Sequence, residues 1–509
     1  MPPVPAPFDV DLLVIGAGPT GLTAACEALR QGLSVRIVDR KAHRSTVSKA
    51  LVMHARTLEA LEDLQLSQRL VAEGARFEGL NVRFGKREPV RVELGALGWT
   101  DTRYPFWLSI PQYATERCLE ERLGELGGAV GWRTALESLE QDVDGVTAVL
   151  RRDDGGEERC RARWMVGADG GRSRSRDLVG LHMDRESLDK TFVLADVKTT
   201  CDLEQSEGHG WRGAQGLLLL VPMPEPDVFR LIAHVPNPGE EPLTLDADSL
   251  DALILARTGM AFGSHDVTWS SQFELSQGLS DRYRAGRVFL AGDAAHVHSP
   301  VGGQGMNTGI QDAHNLVWKL ALARDIGDAA AEPYLQSYEQ ERRPVAAAMV
   351  RGTGRATRAL TNTHPLLIPL LGFVGSRLAA TERVRRALAR TTGMLDVAYP
   401  DSAILGPAGG CGTAPGHRVP NPELGDGLRL HDLLEGQGHT LLSFGSDLQV
   451  RGADGDLRSL PAEVASAARE ALGLRGEGVL LVRPDRCVAG CWADRSSTES
   501  FGPAQAVVG

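Results

Sequence analysis

Asp9-Val10-Asp11-Leu12-Leu13-Val14-Ile15-Gly16-Ala17-Gly18-Pro19-Thr20-Gly21 is the stretch whose reading decides the fold. A buried apolar strand runs into a Gly-x-Gly-x-x-Gly turn, and the turn opens a helix from Leu22 to about Gln31. A second apolar run, Ser34 to Val38, follows and ends on Asp39. Each part has a physical job. Gly16 allows the tight turn, Gly18 lets the backbone approach a pyrophosphate with no Cβ in the way, and Gly21 lets the helix lie close on the strand. The helix N-terminus offers unpaired N–H groups and a positive dipole end to the phosphates. Asp39 stands where a ribose hydroxyl needs an acceptor. A glycine-rich turn kept for packing alone would not need that acid at that distance, so the segment reads as dinucleotide-binding, with NAD and FAD both open.

At 509 residues the chain is too long for one compact core, and two or three domains are expected. Composition is that of an ordinary globular enzyme, 42% apolar and 24% charged. The net charge of -11 argues against nucleic acid or an anionic membrane as the main partner. No apolar run reaches the length of a membrane span, and Met1 to Pro7 carry neither the basic region nor the apolar core of a signal peptide. Seven scattered cysteines form no disulfide framework, which points to a reducing compartment and a cytoplasmic protein. Cys487 and Cys491 have three residues between them, not two, and read as ordinary strand cysteines rather than a redox or metal pair. No metal site is expected.

Further along, Arg56 to Leu64 is helix-like, residues 77–110 suggest short antiparallel strands, and Gln112 opens a helix to about Leu126. Two strands flank Val143-Asp144-Gly145, and Asp153 to Gly156 is a hairpin turn. From about Lys190 to Gln277 the pattern is strand-rich, with Leu217–Pro222 and Val228–Ala233 paired across Pro224 to Asp227. One long helix is expected from Gly305 to about Ala323 and another from about Pro333 to Leu360, broken or kinked at Pro344. Leu366 to Val374 reads as a short core-facing segment. From Tyr399 a proline- and glycine-rich linker leads into a small α/β unit with strands near Leu441 and Val479.

Two later motifs narrow the dinucleotide to FAD. The first is Val166-Gly167-Ala168-Asp169-Gly170-Gly171-Arg172, with Ser and Arg following at helical spacing. The second is Val288-Phe289-Leu290-Ala291-Gly292-Asp293-Ala294-Ala295-His296, followed by Ser299-Pro300-Val301-Gly302-Gly303-Gln304-Gly305-Met306-Asn307. A strand delivers Asp293, which can accept from a ribityl hydroxyl. The glycines let the backbone lie against a flat isoalloxazine ring. The N–H groups of Gly305, Met306 and Asn307 then face O2 and N1, where negative charge builds up on reduction.

In this order and spacing the three motifs resemble the class A flavoprotein aromatic hydroxylases, the family of p-hydroxybenzoate hydroxylase and phenol hydroxylase, over about residues 8–360. The resemblance implies an α/β fold: a Rossmann-like FAD-binding domain over 8–183 and 278–398, an inserted β-sheet substrate domain over 184–277, and a thioredoxin-like C-terminal domain over 399–509 that lacks Cys-x-x-Cys. It implies the cofactors FAD, NADPH or NADH, and O2, and hydroxylation through a flavin C4a-hydroperoxide. A nicotinamide that visits transiently fits the lack of a second Gly-x-Gly-x-x-Gly. The implied cofactor residues are Gly16, Gly18, Pro19, Thr20, Gly21, Asp39, Arg40, Lys49, Gln112, Asp169, Asp293, Pro300, Gly303, Gly305, Met306 and Asn307. Lys49 stands where the family often has an arginine, and Arg44 and Arg56 are alternatives for the phosphate contacts there. Pro300, His296 and Arg44 are the catalytic candidates: Pro300 through its carbonyl and loop shape, and His296, with His298, for proton transfer.

Strand alternation offers Trp211, Leu218, Leu220, Pro222, Met223 and Phe229 toward substrate. An apolar pocket with few charges suits a polycyclic, polyketide-type aromatic better than a small benzoate. The expected partner is that small molecule, bound by a monomer or homodimer. A Baeyer–Villiger enzyme or epoxidase of the same fold, and an antibiotic-inactivating hydroxylase, are the alternative readings.

Overall fold

The computed structural model describes residues 8–48, 50–84, 89–93, 99–213, 215–236, 243–362, 381–410, 412–434, 437–452, 457–474 and 476–492. Its first sheet is built on the opening strand, Val10–Ile15, which pairs in parallel with Val35–Val38 on one side and Glu157–Gly167 on the other. The parallel set extends to Val130–Gly131 and Val288–Leu290. Period-2 alternation sorts the opening strand's residues to two faces. Leu12 and Val14 join a large core with the helices Pro19–Arg30, Gln112–Glu125 and Gly305–Ile326. Leu13 and Ile15 pack instead with Leu136, Val146, Ala148 and Leu150, from the antiparallel strands Thr134–Gln141 and Val146–Arg152.

The second sheet holds eight strands and lies beside the first. Met183–Thr199 pairs with Ser264–Ser280 on one side and Val228–Val235 on the other, and Gly216–Pro222 and then Glu207–Gly213 follow beyond Val228–Val235. The strands Gly79–Phe84 and Val90–Glu93 complete its edge, with Gly79–Phe84 parallel to Glu207–Gly213. Two of the short strands expected near 77–110 therefore belong to this sheet.

One uninterrupted helix, Asp328–Leu360, runs through both Pro333 and Pro344. The expected break at Pro344 is corrected: the helix is packed along its length by buried residues such as Tyr334, Tyr338, Arg342, Ala346 and Val350, and this packing outweighs the lost backbone bond. Leu366 to Val374 lies outside the described residues.

The tail carries a five-stranded sheet whose pairs are all antiparallel, with Thr440–Phe444 at its centre and one helix, Ala462–Leu472, among the described residues. A parallel strand–helix–strand half is not among them. Five described cysteines, Cys487 among them, are free thiols, and Cys491 is disulfide-bonded, so of that pair only Cys487 is the ordinary cysteine expected. No helix among the described residues is long and apolar enough to cross a membrane.

The helices Pro19–Arg30 and Gly305–Ile326 are tied by a buried acid. Glu27 accepts from Arg30 at 2.8 Å and lies 3.4 Å from His314 Nδ1 on Gly305–Ile326. Burial alone would raise its pKa, but Arg30 and His314 hold it down to about 2 from 4.5. A depressed carboxylate stabilises the fold above pH 4.5, and that contribution is lost as pH falls toward 2. Glu27→Gln is expected to cost about 3 kcal/mol at pH 7 in urea denaturation, with the gap to the native protein narrowing below pH 4.5.

Candidate active site

The glycine turn does what its spacing requires. Gly16 has φ +104°, and a Cβ there would stand 2.3 Å from the Ala168 carbonyl oxygen. A Cβ on Gly21 would stand 1.9 Å from the Gly16 carbonyl oxygen, so helix and strand approach at backbone contact. At Gly18 a Cβ would meet nothing within 4 Å, which leaves open the space a pyrophosphate needs. Pro19 takes the first helical position, and no side chain caps the helix. Thr20 faces the second cofactor helix, where its hydroxyl lies so near Gly292 and Gly309 that neither could carry a Cβ.

Asp39 braces this turn. Its carboxylate accepts from the Ala17 and Lys41 amides, each at 2.8 Å. Arg40 beside it is exposed. Asp169 performs the matching task at the second motif, accepting from the Ser173 hydroxyl at 2.5 Å and the Ser175 amide at 2.9 Å. Gln112 begins its helix with its amide on the Ser48 hydroxyl at 2.8 Å and its side chain on Glu116. Lys49 lies outside the described residues.

The two arginines offered for the phosphates are engaged elsewhere. Arg44 is ion-paired with Glu120 at 3.0 Å on the Gln112–Glu125 helix, with its side chain partly exposed. Arg56 is buried and donates to the Asp485 carbonyl at 2.6 Å, a contact with the tail.

The third motif makes a 3-10 turn, Gly292–Ala294, which presents Asp293 at the surface. Ser299 to Gln304 then loop into helix Gly305–Ile326, whose N-terminus carries no side-chain cap. Pro300 lends its carbonyl to the Gly303 amide at 2.9 Å, which closes the loop on itself. Met306 is buried. Asn307 is fully buried, with its amide nitrogen on the Gly303 and Val52 carbonyls at 2.7 and 2.8 Å and its oxygen accepting from the His54 amide at 2.9 Å. His54 Nε2 donates to the Gly302 carbonyl at 2.9 Å. Burial lowers the His54 pKa to about 4, so the ring is neutral in its loop-closing role.

His296 is fully buried, with Nε2 on Asp312 at 2.7 Å and its ring stacked on Tyr283. Among the described residues its contacts are therefore with the loop and the helix Gly305–Ile326. His298 binds the Ser299 carbonyl through Nδ1 at 2.7 Å, and burial lowers its pKa to about 4.

The second sheet has two faces. Trp211, Leu218, Leu220 and Phe229 form a sealed core with Val193, Ala195 and Val197 under helix Ala247–Thr258. Their assignment to substrate is therefore corrected: the alternation was right, but helix Ala247–Thr258 covers that face. Met223 and Val221 join the core of the first unit, and the Pro222 carbonyl accepts from Ser109 at 2.5 Å. The face toward the first unit carries a buried ion pair, Arg230 with Asp196 at 2.6 Å through two parallel bonds. Arg230 also reaches Ser48 at 3.4 Å and lies over the Trp269 ring.

A glycine turn opening onto free space, a braced acid and a helix start without a cap fit the pyrophosphate, ribose and ring of FAD. Residues 9–353, well over half of the chain, match the family model described as FAD binding domain. The chain belongs to that family. It is 36% identical over 507 residues, 94% of this chain and 90% of the other, to 6-methylpretetramide 4-monooxygenase of Streptomyces rimosus. It is 32% identical to pentachlorophenol 4-monooxygenase of Sphingobium chlorophenolicum, covering 86% of this chain and 81% of the other. Its fold is similar to that of the anhydrotetracycline hydroxylase OxyS from Streptomyces rimosus, with TM-score 0.74, 31% identity and coverage of 98% and 99%. It is similar too to aklavinone-11 hydroxylase in complex with FAD and aklavinone, with TM-score 0.78, 26% identity and 99% of both chains. This FAD-binding family member is thus a flavoprotein monooxygenase that uses FAD, NAD(P)H and O2.

Sequence reasoning missed His54, Asp312 and the Arg230–Asp196 pair. An arginine inside the apolar strand Val228–Val235, and an aspartate inside the apolar run Phe192–Val197, were signals of a buried pair, whereas His54 and Asp312 had no local signal.

Two outcomes check this geometry. Leu220→Ala is expected to destabilise the monooxygenase by about 2–5 kcal/mol, leaving the KM for an aromatic substrate unchanged. Neutral His54 and His298 contribute stability that is complete above pH 6.5 and lost as pH falls toward 4. Flavin release, followed by fluorescence, is therefore expected to rise over that interval. His54→Gln, which keeps a donor for Gly302 but does not titrate, reduces the rise, and His298 sustains the remainder.

Proposed function

We propose that this enzyme inserts one oxygen atom from O2 into a polycyclic, polyketide-type aromatic. The observation that carries this reading is the near full-length similarity to 6-methylpretetramide 4-monooxygenase, 36% over 94% of the chain. Bound FAD, reduced by NADH or NADPH, supplies the oxygen-activating chemistry. The chain's own residues do the rest. Gly16, Gly18 and Gly21 admit the pyrophosphate, Asp39 takes the adenosine ribose, and Asp293 takes the ribityl chain. The amides of Gly305, Met306 and Asn307 stabilise charge on the ring. Substrate lies between that ring and the front face of the second sheet, where the partly buried Ile232 offers apolar surface and the Arg230–Asp196 pair is a net-neutral polar floor.

The same reading divides the chain into a Rossmann-like FAD unit over 8–183 and 278–398, a substrate sheet over 184–277 and a thioredoxin-like tail over 399–509. It takes the enzyme as a cytoplasmic monomer or homodimer. A second reading, inactivation of an antibiotic by the same chemistry, is favoured by 36% identity over 364 residues to rifampicin monooxygenase of Streptomyces venezuelae.

The test is NAD(P)H oxidation by the holoenzyme with anhydrotetracycline and with rifampicin under 18O2. Stimulated oxidation and one labelled atom in a hydroxylated tetracyclic product are expected. Hydroxylation of rifampicin alone selects the second reading. An unlabelled product contradicts oxygen insertion, and a ring-expanded lactone shows Baeyer–Villiger chemistry.

A further inference from the structure

Asp312 lies on the second turn of helix Gly305–Ile326 and is fully buried. One of its oxygens accepts both the Gly292 amide at 3.0 Å and His296 Nε2 at 2.7 Å. Gly292 opens the turn that presents Asp293, and His296 follows that turn, so a single carboxylate oxygen fastens both of its ends. The other oxygen accepts from Arg342 Nε at 2.7 Å. Arg342 also donates to the Thr308 carbonyl, in the first turn of the uncapped helix, at 3.2 Å, and to the Tyr399 hydroxyl at 3.0 Å.

We propose that Asp312 is a positioning residue for the flavin, setting where Asp293 stands relative to the amides at the start of helix Gly305–Ile326. A buried carboxylate–guanidinium pair is costly to desolvate and holds only with every partner in place, which gives it one geometry. Apolar packing could join the same helices without fixing the turn. Here three of the four ties end on the turn or the helix start that would face the flavin, the Gly292 amide, His296 and the Thr308 carbonyl, and the fourth ends on Tyr399. His296, intact in the third motif, acts on the site through this carboxylate and not on the reacting atoms.

The inference rests on the flavin lying against Gly292–Asn307, and the test separates the two. Apoenzyme is titrated with FAD, and the dissociation constant is read from flavin fluorescence. Asp293→Ala examines the placement alone: an unchanged constant there removes the ground for both. With Asp293→Ala weakened, His296→Leu is expected to weaken FAD binding by about tenfold, the effect of one hydrogen bond to a charged group. His296→Gln, whose amide still donates to Asp312, is expected to stay within about threefold of the native enzyme. Asp312→Asn is expected to lose at least as much as His296→Leu. The histidine pair carries the test if that variant does not fold. Native affinity in His296→Leu, or equal losses in the leucine and glutamine variants, overturns the proposal.

Discussion

The start of helix Gly305–Ile326 carries no side-chain cap, and the surrounding chain keeps that end in place; in the function proposed above it receives the flat, electron-accepting ring. Its first amides have no serine, threonine or aspartate to satisfy them. The end is instead secured from outside. Asn307 ties it to the Val52–His54 segment, His54 closes Gly302, and Arg342 grips the Thr308 carbonyl. Capping the helix would satisfy it more cheaply, but it would also fill the place where charge develops on the cofactor.

Further along the same helix, the chain accepts an unusual density of buried charge. Lys319 and Arg483 both bind Glu341, Arg483 binds Asp485 at 2.6 Å, and Asn315 bridges Glu341 and Asp485. Arg418 reaches Glu59, and Arg486 reaches Asp63 at 2.8 Å, so the tail is docked on the first unit by ion pairs as well as by apolar contact. Such pairs add little net stability against well-packed apolar residues, but they punish any other arrangement. The tail, which has no redox motif, acts as a brace for the two long helices behind the flavin loop.

Local chemistry made the geometry of the three glycine-rich motifs legible. The Gly16–Gly21 turn, Asp39, Asp169 and the Asp293–Asn307 loop are each read from a few contiguous residues whose backbone needs are strict. The substrate side was harder to read because alternation along Gly216–Pro222 and Val228–Val235 separates two faces without saying which one a helix covers. Helix Ala247–Thr258 settles that, and it sends Leu218, Leu220 and Phe229 to the core and Arg230 to the front. The partners of Arg44, His296 and Asp312 could not be read from the sequence for a common reason. They lie 76, 16 and 30 residues away, and only the tertiary fold brings them together. Pro344 shows the same limit in another form, since tertiary packing carries a helix through a residue that local propensity would use to end it.

The central claim is that the bare helix start receives the flavin ring. A crystal structure of the enzyme with FAD, solved in both oxidised and reduced forms, tests it most directly. The account predicts the O2–N1 edge of the ring within about 3.2 Å of the amides of Gly305–Asn307 in at least one form, with the adenosine ribose at Asp39. A ring whose pyrimidine edge avoids those amides in both forms would contradict it.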